Sequence, residues 1–499
     1  MRIKTLFILG ALVLITNTAF AATRTWTGDG ADALASNALN WDGGASAPAA
    51  GDDVVFDGVF AVTGNDPCTW NITTNLNTID IQSGYTGTIT LTATMSVTNV
   101  TGSLTINGTG TFNSNGQDID VKSVDASGSA TKTITTGSSR WIVAGNFNIS
   151  GANLTFNYNT SEMSISEAAT ITTKSGNEFY KLTTGANRAM TFGSDVVVNN
   201  TLSISPYGNA VNGLYTIYAK GNIVSVGNGA SGVNQTVINI TGTANQTWNT
   251  PVQFSFSVTI DKSAGTLTIS TGMVYGAGTG SYTFTHTAGT VVCEGTFSLR
   301  GTGTQTFNTS GMSFNNFTIG TAETPTVSLT SALNVTGNLA LSLGTFAPGS
   351  QTVTVGGNWT KTSGTFTAGT STVLFNGTST IDGSTAFYNL TCSGTCSFDD
   401  ADTFSTNASG VLSGNGTFQS DDASNTVDLN VNGTETVASG NCTRVDNSGT
   451  SVVTSGTITT CTGWAPDTFH KTINGLARAS VKTLNGLAIA SVKTVDGLS

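Results

Sequence analysis

The sequence is poor in charge. Only 9% of its 499 residues are Asp, Glu, Lys or Arg. Histidine is nearly missing, with two residues, and the 18 basic side chains are outnumbered by 29 acidic ones, for a net charge of −11. Two histidines leave little material for imidazole-based acid/base or metal chemistry. An acidic chain with few cations offers no basic surface to nucleic acid or to an anionic membrane, so no nucleic-acid partner is expected. Long apolar runs are missing too. After Ile15 no segment approaches the ~20 continuous apolar residues of a membrane helix, so the mature chain is not expected to span a membrane. Segments with helical periodicity are nearly absent. Disorder is excluded from the other side, because 38% of the residues are hydrophobic, too many for a polar unfolded chain.

What is present instead is glycine, 60 residues, and threonine, about 90, a composition suited to strands and turns. Residues 1–21 read as a secretory signal. Arg2 and Lys4 form a charged start, Leu6 to Ile15 an apolar stretch, and Ala19-Phe20-Ala21 a small-x-small cleavage site before Ala22. The expected location is therefore secreted or cell-surface. Residues 22–67 form a Trp/Asp/Gly-rich N-terminal cap, 68–462 a uniform repeat region, and 463–499 a short C-terminal repeat tail.

In the repeat region short runs alternate apolar and polar residues, most clearly from Thr88 to Thr98. One face of such a strand packs inward while its Thr/Ser face meets water. Asn-Gly pairs at 107–108, 115–116, 212–213, 376–377, 415–416 and 432–433 supply turns. Phrases recur: Phe179-Tyr-Lys-Leu-Thr183, Phe314-Asn-Asn-Phe-Thr318 and Phe387-Tyr-Asn-Leu-Thr391, with Ser255-Phe-Ser-Val-Thr259 as a degenerate copy. A Gly-Asn-apolar phrase stands at 145–147, 221–223 and 357–359. These features predict an all-β parallel β-solenoid, or β-helix, with coils of roughly 20–25 residues stacked about 4.8 Å apart. A string of small β-sandwiches is the competing architecture. The tail repeats every 11 residues, with Asn474-Gly475, Asn485-Gly486 and Asp496-Gly497 as turn pairs, and predicts a small β-rich appendage.

The cysteines offer a check on the coil. Cys442 and Cys461 are one coil apart in sequence, so stacking would bring them within disulfide range. Cys392 and Cys396 flank Ser-Gly-Thr and can close a small loop, whereas Cys68 and Cys293 lie too far apart along a rod to pair. Asp399, Asp400 and Asp402, with Asp421 and Asp422 about one coil later, form the best acidic cluster. Stacked, they would make a strip able to hold Ca²⁺, a hard cation that takes several oxygen ligands; left unstacked, they are solvated turns. Asp29, Asp32, Asp52, Asp53 and Asp57 read as caps and turns of the first coil. The seven tryptophans would serve as sugar-stacking platforms if aligned on one face, and as core ends and caps otherwise. No catalytic constellation emerges: His286 and His470 have no Ser or Asp partner nearby in sequence, and the basic residues are scattered singly. No catalytic residue and no cofactor beyond calcium is assigned.

The opening series Trp26-Thr-Gly-Asp-Gly30, Asn40-Trp41, Pro48 and Gly51-Asp-Asp-Val-Val-Phe-Asp57 resembles that of secreted bacterial β-solenoid repeat surface proteins, autotransporter-passenger-like or haemagglutinin-like. Phage tail-fibre-like proteins are a related resemblance, through similar openings and Asn-Gly-Leu-Ala tail repeats. The resemblance implies a solenoid used for display, adhesion or structure, facing cell-surface components, polysaccharide or a host surface. The expected function is a secreted or cell-surface structural or adhesive repeat protein without catalytic activity. The alternatives are a phage tail or fibre-like structural protein, and a lyase or glycosidase on the same scaffold.

Overall fold

The computed structural model describes residues 21 to 421, apart from 45, 60–65, 186–189, 205–210, 213, 226–235, 250–252, 271, 277, 400, 408 and 415, and beyond these only short strand segments. The chain is a parallel β-solenoid. Strands Thr78–Ile81, Thr88–Leu91 and Met95–Val97 make one turn, each on a different face. Ser103–Ile106, Thr111–Asn113 and Ile119–Val121 make the next, and each strand pairs in parallel with the one before it on its own face. Coil length runs from 17 residues, where Thr372 lies opposite Asn389, to 27, where Asp261 lies opposite Ala288. The first rung takes 30, Thr23 opposite Asp53. This spread is wider than expected because strand register is fixed by the core while the corners absorb the difference.

The alternating pattern decides which side chains enter the rod. Ile79, Leu104, Val124, Phe147 and Ile171 form one column of five successive coils, each at most 1% exposed. Each such side chain contributes roughly 1.5–3 kcal/mol through burial. Aromatic residues stack in the same way: Phe284 on Phe307 with ring centroids 5.4 Å apart, and Phe297 on Phe317 at 5.8 Å.

The run from Thr88 to Thr98 is two strands rather than one. Thr88–Leu91 ends at a corner formed by residues 92–94, and Met95–Val97 starts a new face. Ala93, inward by alternation, is half-buried at that corner. The Phe-x-x-apolar phrase marks corners as well. Phe179 and Leu182, Phe314 and Phe317, and Phe387 and Leu390 are all buried, while the two residues between them point out. Three residues from one inward side chain to the next cannot fit a straight strand of period two: a strand begins or ends inside the phrase at 314–317 and 387–390, and at 179–182 the register shifts within the strand Phe179–Thr184.

Asparagine before a strand links one coil to the next. Asn316 Oδ1 accepts the Asn338 N–H at 2.8 Å, Asn338 Oδ1 that of Asn358 at 2.8 Å, and Asn358 Oδ1 that of Thr380 at 2.9 Å. The ladder satisfies backbone donors at and near the starts of these strands. Glycine serves close approach: Gly356, Gly377, Gly394 and Gly416 stack in successive coils. A Cβ on Gly377 would lie 2.0 Å from the Gly356 carbonyl oxygen, and one on Gly394 2.0 Å from that of Gly377.

At the N-terminus, Thr23–Thr25 and Asp53–Phe56 are the first rungs of the same sheet that holds Thr78–Ile81, so the cap runs continuously into the rod. Trp26, Trp41, Phe56 and Tyr85 close the end of the core, with Trp26 and Trp41 5.1 Å apart edge to face. In the middle of the rod two faces merge into the long strands Ser257–Ile269 and Tyr282–Cys293. The inward Lys262 there is 1% exposed and donates to the Ala244 carbonyl at 2.9 Å and to Gln246 Oε1. Lys132, equally buried, donates to the Gly128 carbonyl at 2.8 Å. Turn carbonyls thus partner both buried cations, as a buried charge requires. In the tail, Thr472–Ile473 with Leu476–Ala477, and Thr483–Leu484 with Leu487–Ala488, form two antiparallel pairs; the Asn-Gly residues between them lie outside the described residues.

Candidate functional site

Two surfaces stand out, one acidic and one without charge. Parallel register places Ile381 opposite Phe398, and the Asp421 N–H donates to the Phe398 carbonyl at 2.9 Å. Asp382, Asp399 and Asp421 therefore follow one another up successive coils. Asp382, Asp399 and Asp402 each bring a carboxylate oxygen within 4.8 Å of the others. Burial raises the Asp382 pKa from its ordinary value, and the negative charges of Asp399 and Asp402 raise it further. Asp402 goes the other way. Burial opposes its ionisation, but hydrogen bonds from the Ser384 hydroxyl, the Gly383 N–H and the Ser384 N–H, with the charge of Lys361, bring its pKa below the ordinary value. Those bonds measure 2.8, 2.6 and 3.0 Å. Asp402 is thus already committed to the 383–384 turn, and Asp399 Oδ1 accepts the Ala401 N–H at 2.9 Å.

Of the acidic residues singled out from the sequence, the structure describes Asp399, Asp402 and Asp421. Asp399 and Asp402 converge. Asp421 is exposed one coil further on, and Asp400 and Asp422 lie outside the described residues. Asp382 completes the trio and was missed, because 17 residues separate it from Asp399 and only the coil register, Ile381 opposite Phe398, shows them to be neighbours.

The second surface lies on strands Cys68–Trp70, Thr88–Leu91, Thr111–Asn113, Lys132–Thr135 and Leu154–Asn157, which form one five-stranded parallel sheet. One outward column is Thr88, Thr111, Thr133 and Thr155; its neighbour is Thr69, Thr90, Asn113, Thr135 and Asn157. No charge enters either column. Side chains repeat about every 4.8 Å along the rod and about 6.7 Å along each strand. A shallow open depression lined by Thr135, Phe156, Asn157, Tyr158 and Asn159 sits at its upper edge. The adjacent face, by contrast, carries Asp53, Asp80 and Asp125 on its strands.

Of the predicted disulfides, Cys392–Cys396 is bonded, with Cα atoms 6.3 Å apart and both residues fully buried. Cys442 and Cys461 lie outside the described residues. Cys68 and Cys293 are buried free thiols, and burial raises the Cys293 pKa to about 12. Trp26, Trp41, Trp70, Trp141, Trp248 and Trp359 are each at most 1% exposed, so these six fill the core and form no sugar-stacking platform; Trp464 lies outside the described residues. His286 is 7% exposed, its ring nitrogens against the Ser310 and Gly289 carbonyls. His470 lies outside the described residues. The early aspartates act as caps: Asp32 receives the Leu34 N–H, Asp57 that of Val59, and Asp53 the Thr78 hydroxyl.

No protein-family model matches the chain, and neither the curated proteins nor the solved structures contain a match to it.

Proposed function

We propose that the chain is a secreted or cell-surface structural repeat protein that adheres through extended faces of the rod. The observation that carries this reading is the uncharged Thr/Asn face, nine in-register polar side chains spread over five coils. Such a face presents hydroxyl and amide groups at regular intervals to a partner that is itself extended, neutral and hydroxyl-rich, such as a polysaccharide. Many weak contacts repeated along a rigid rod add up to firm attachment without any deep pocket. The leader supports export, and the resemblance to bacterial surface solenoids supports display. The test is surface shaving: intact producing cells are treated with protease, and rod peptides are sought in the released fraction. Release of peptides from residues 68–421 by cells that remain intact is the expected result. Rod peptides found only after lysis contradict the reading.

A further inference from the structure

The first coil is built around one buried carboxylate. Asp52 is 4% exposed. Its Oδ1 accepts the Ala22 N–H at 2.9 Å; its Oδ2 accepts the Ala49 N–H at 3.0 Å and Arg24 Nε at 3.3 Å. The Ala22 carbonyl in turn accepts the Asp53 N–H at 2.9 Å, and Thr23 enters the sheet directly opposite Asp53. Among the described residues Ala22 is therefore the first held by the rod, whereas Ala21 is exposed. The bond between them is also the one that the leader, through Ala19-Phe20-Ala21, offers for cleavage.

We propose that Ala21–Ala22 is a processing site, and that the α-ammonium created on Ala22 pairs with Asp52 to close the N-terminal end of the solenoid. The proposal rests on the export reading above. A membrane-bound leader peptidase adds water across the amide: the C–N bond breaks, hydroxyl goes to the Ala21 carbonyl carbon, and the nitrogen leaves as an amine that takes up a proton. An α-amino group titrates near 7.7–8.0, so at neutral pH it is mostly charged. It stands where a neutral N–H donor to Asp52 stood before. A hydrogen bond from a neutral N–H to the carboxylate thereby becomes an ion pair in which donor and acceptor are both charged. Arg24 approaches the other oxygen from the solvent side with its side chain 21% exposed, and leaves Oδ1 to the new terminus. Asp53, the neighbouring carboxylate, is occupied by the Thr78 hydroxyl and the Asn77 amide at 2.6 and 2.7 Å. Removal of the leader thus tightens the exposed sheet edge of the rod, which the strand Thr23–Thr25 forms.

Two measurements test this. Mass and N-terminal sequence of the exported chain should show Ala22 as the first residue; a different start overturns the processing site. Hydrogen exchange over residues 22–56 is then compared in four chains prepared in the cytoplasm and freed without a scar: one beginning at Ala22, one retaining Ala21, and each with Asp52→Asn. Retaining Ala21 should lower protection of strands Thr23–Thr25 and Asp53–Phe56, and Asp52→Asn should cost more protection in the chain that begins at Ala22. Equal effects of Asp52→Asn in both backgrounds, or equal protection with and without Ala21, overturn the ammonium pairing. The chain retaining Ala21 keeps Asp52 and every rod residue, so the comparison stands even where Asp52→Asn fails to fold. Absence of export would contradict the functional reading and leave the outcome of the exchange comparison decisive for the pairing.

Discussion

Replacing Gly377 by alanine puts a single methyl group where two coils touch. Its Cβ would lie 2.0 Å from the Gly356 carbonyl oxygen, and real Cβ contacts stay above 3.0 Å, so the coils must separate locally by at least 1 Å. The bonds nearest the strain are Asn376 N–H to the Val355 carbonyl at 3.2 Å and Thr395 N–H to the Gly377 carbonyl at 2.9 Å. Overpacking costs about 1–3 kcal/mol, and weakening one backbone hydrogen bond adds about 1 kcal/mol, so the expected loss is about 2–4 kcal/mol. Because each coil contacts only its neighbours, the damage should be local. Hydrogen exchange should show faster opening of Thr352–Val355, Thr372–Phe375 and Asn389–Cys392, with strands before residue 300 unchanged. Gly349 is the control. Its φ is +67° and no atom lies within 4 Å of its would-be Cβ, so alanine there costs only the left-handed backbone penalty, about 1–2 kcal/mol. Asparagine, which tolerates that conformation, should be milder than alanine at Gly349 and at least as harmful as alanine at Gly377. The same ranking at both sites, or a Gly377→Ala chain within about 0.5 kcal/mol of wild type, would refute the steric account.

Other outcomes follow from the same structure. Phe297→Ala should destabilise the central coils by about 3–5 kcal/mol, since Phe297 packs against Phe284, Phe307, Phe314 and Phe317; denaturant unfolding followed by exchange at these strands checks it. Under non-reducing conditions Cys392 and Cys396 should resist alkylation, and Cys68 and Cys293 should react only after unfolding, as peptide mapping would reveal. Replacing both bonded cysteines by serine should cost about 2 kcal/mol on chain-entropy grounds for so short a loop. Asp402 has a lowered pKa in the folded chain, so its contribution to stability is complete above the unfolded carboxylate value near 3.9 and is lost as pH falls through the lower folded value. Protection of the 383–384 turn should therefore fall in acid, and Asp402→Asn should remove that pH dependence.

Much of the fold is legible in the sequence because one rule is repeated. Alternating pairs such as Ile79 and Ile81 or Val353 and Val355 announce inward positions, and the recurring Phe-x-x-apolar phrase marks corners. The corner inside Thr88–Thr98 stays hidden, because alternation continues through residues 92–94 without a glycine or proline to announce the bend. The acidic site is half legible. Asp399 and Asp402 are neighbours in sequence, but Asp382 joins them only through coil register, and the coil there is 17 residues long where 20–25 was expected. The tryptophans could have served as platforms or as core, and composition does not separate the two. Burial does: a ring on an inward position of an alternating strand, such as Trp70 or Trp141, belongs to the core.

The Thr/Asn face carries the account, and binding to neutral insoluble polysaccharide tests it most directly. The purified chain is incubated with a panel of such polymers, alongside Thr111→Lys/Thr133→Lys, which puts two like charges one coil apart on that face. Thr105→Lys, outward on the adjacent face, is the control, and circular dichroism verifies that all three chains fold. The account predicts that the wild type and Thr105→Lys co-sediment with at least one polymer and that the double variant does not. Equal retention of the double variant, or no retention of the wild type on any of them, would contradict it.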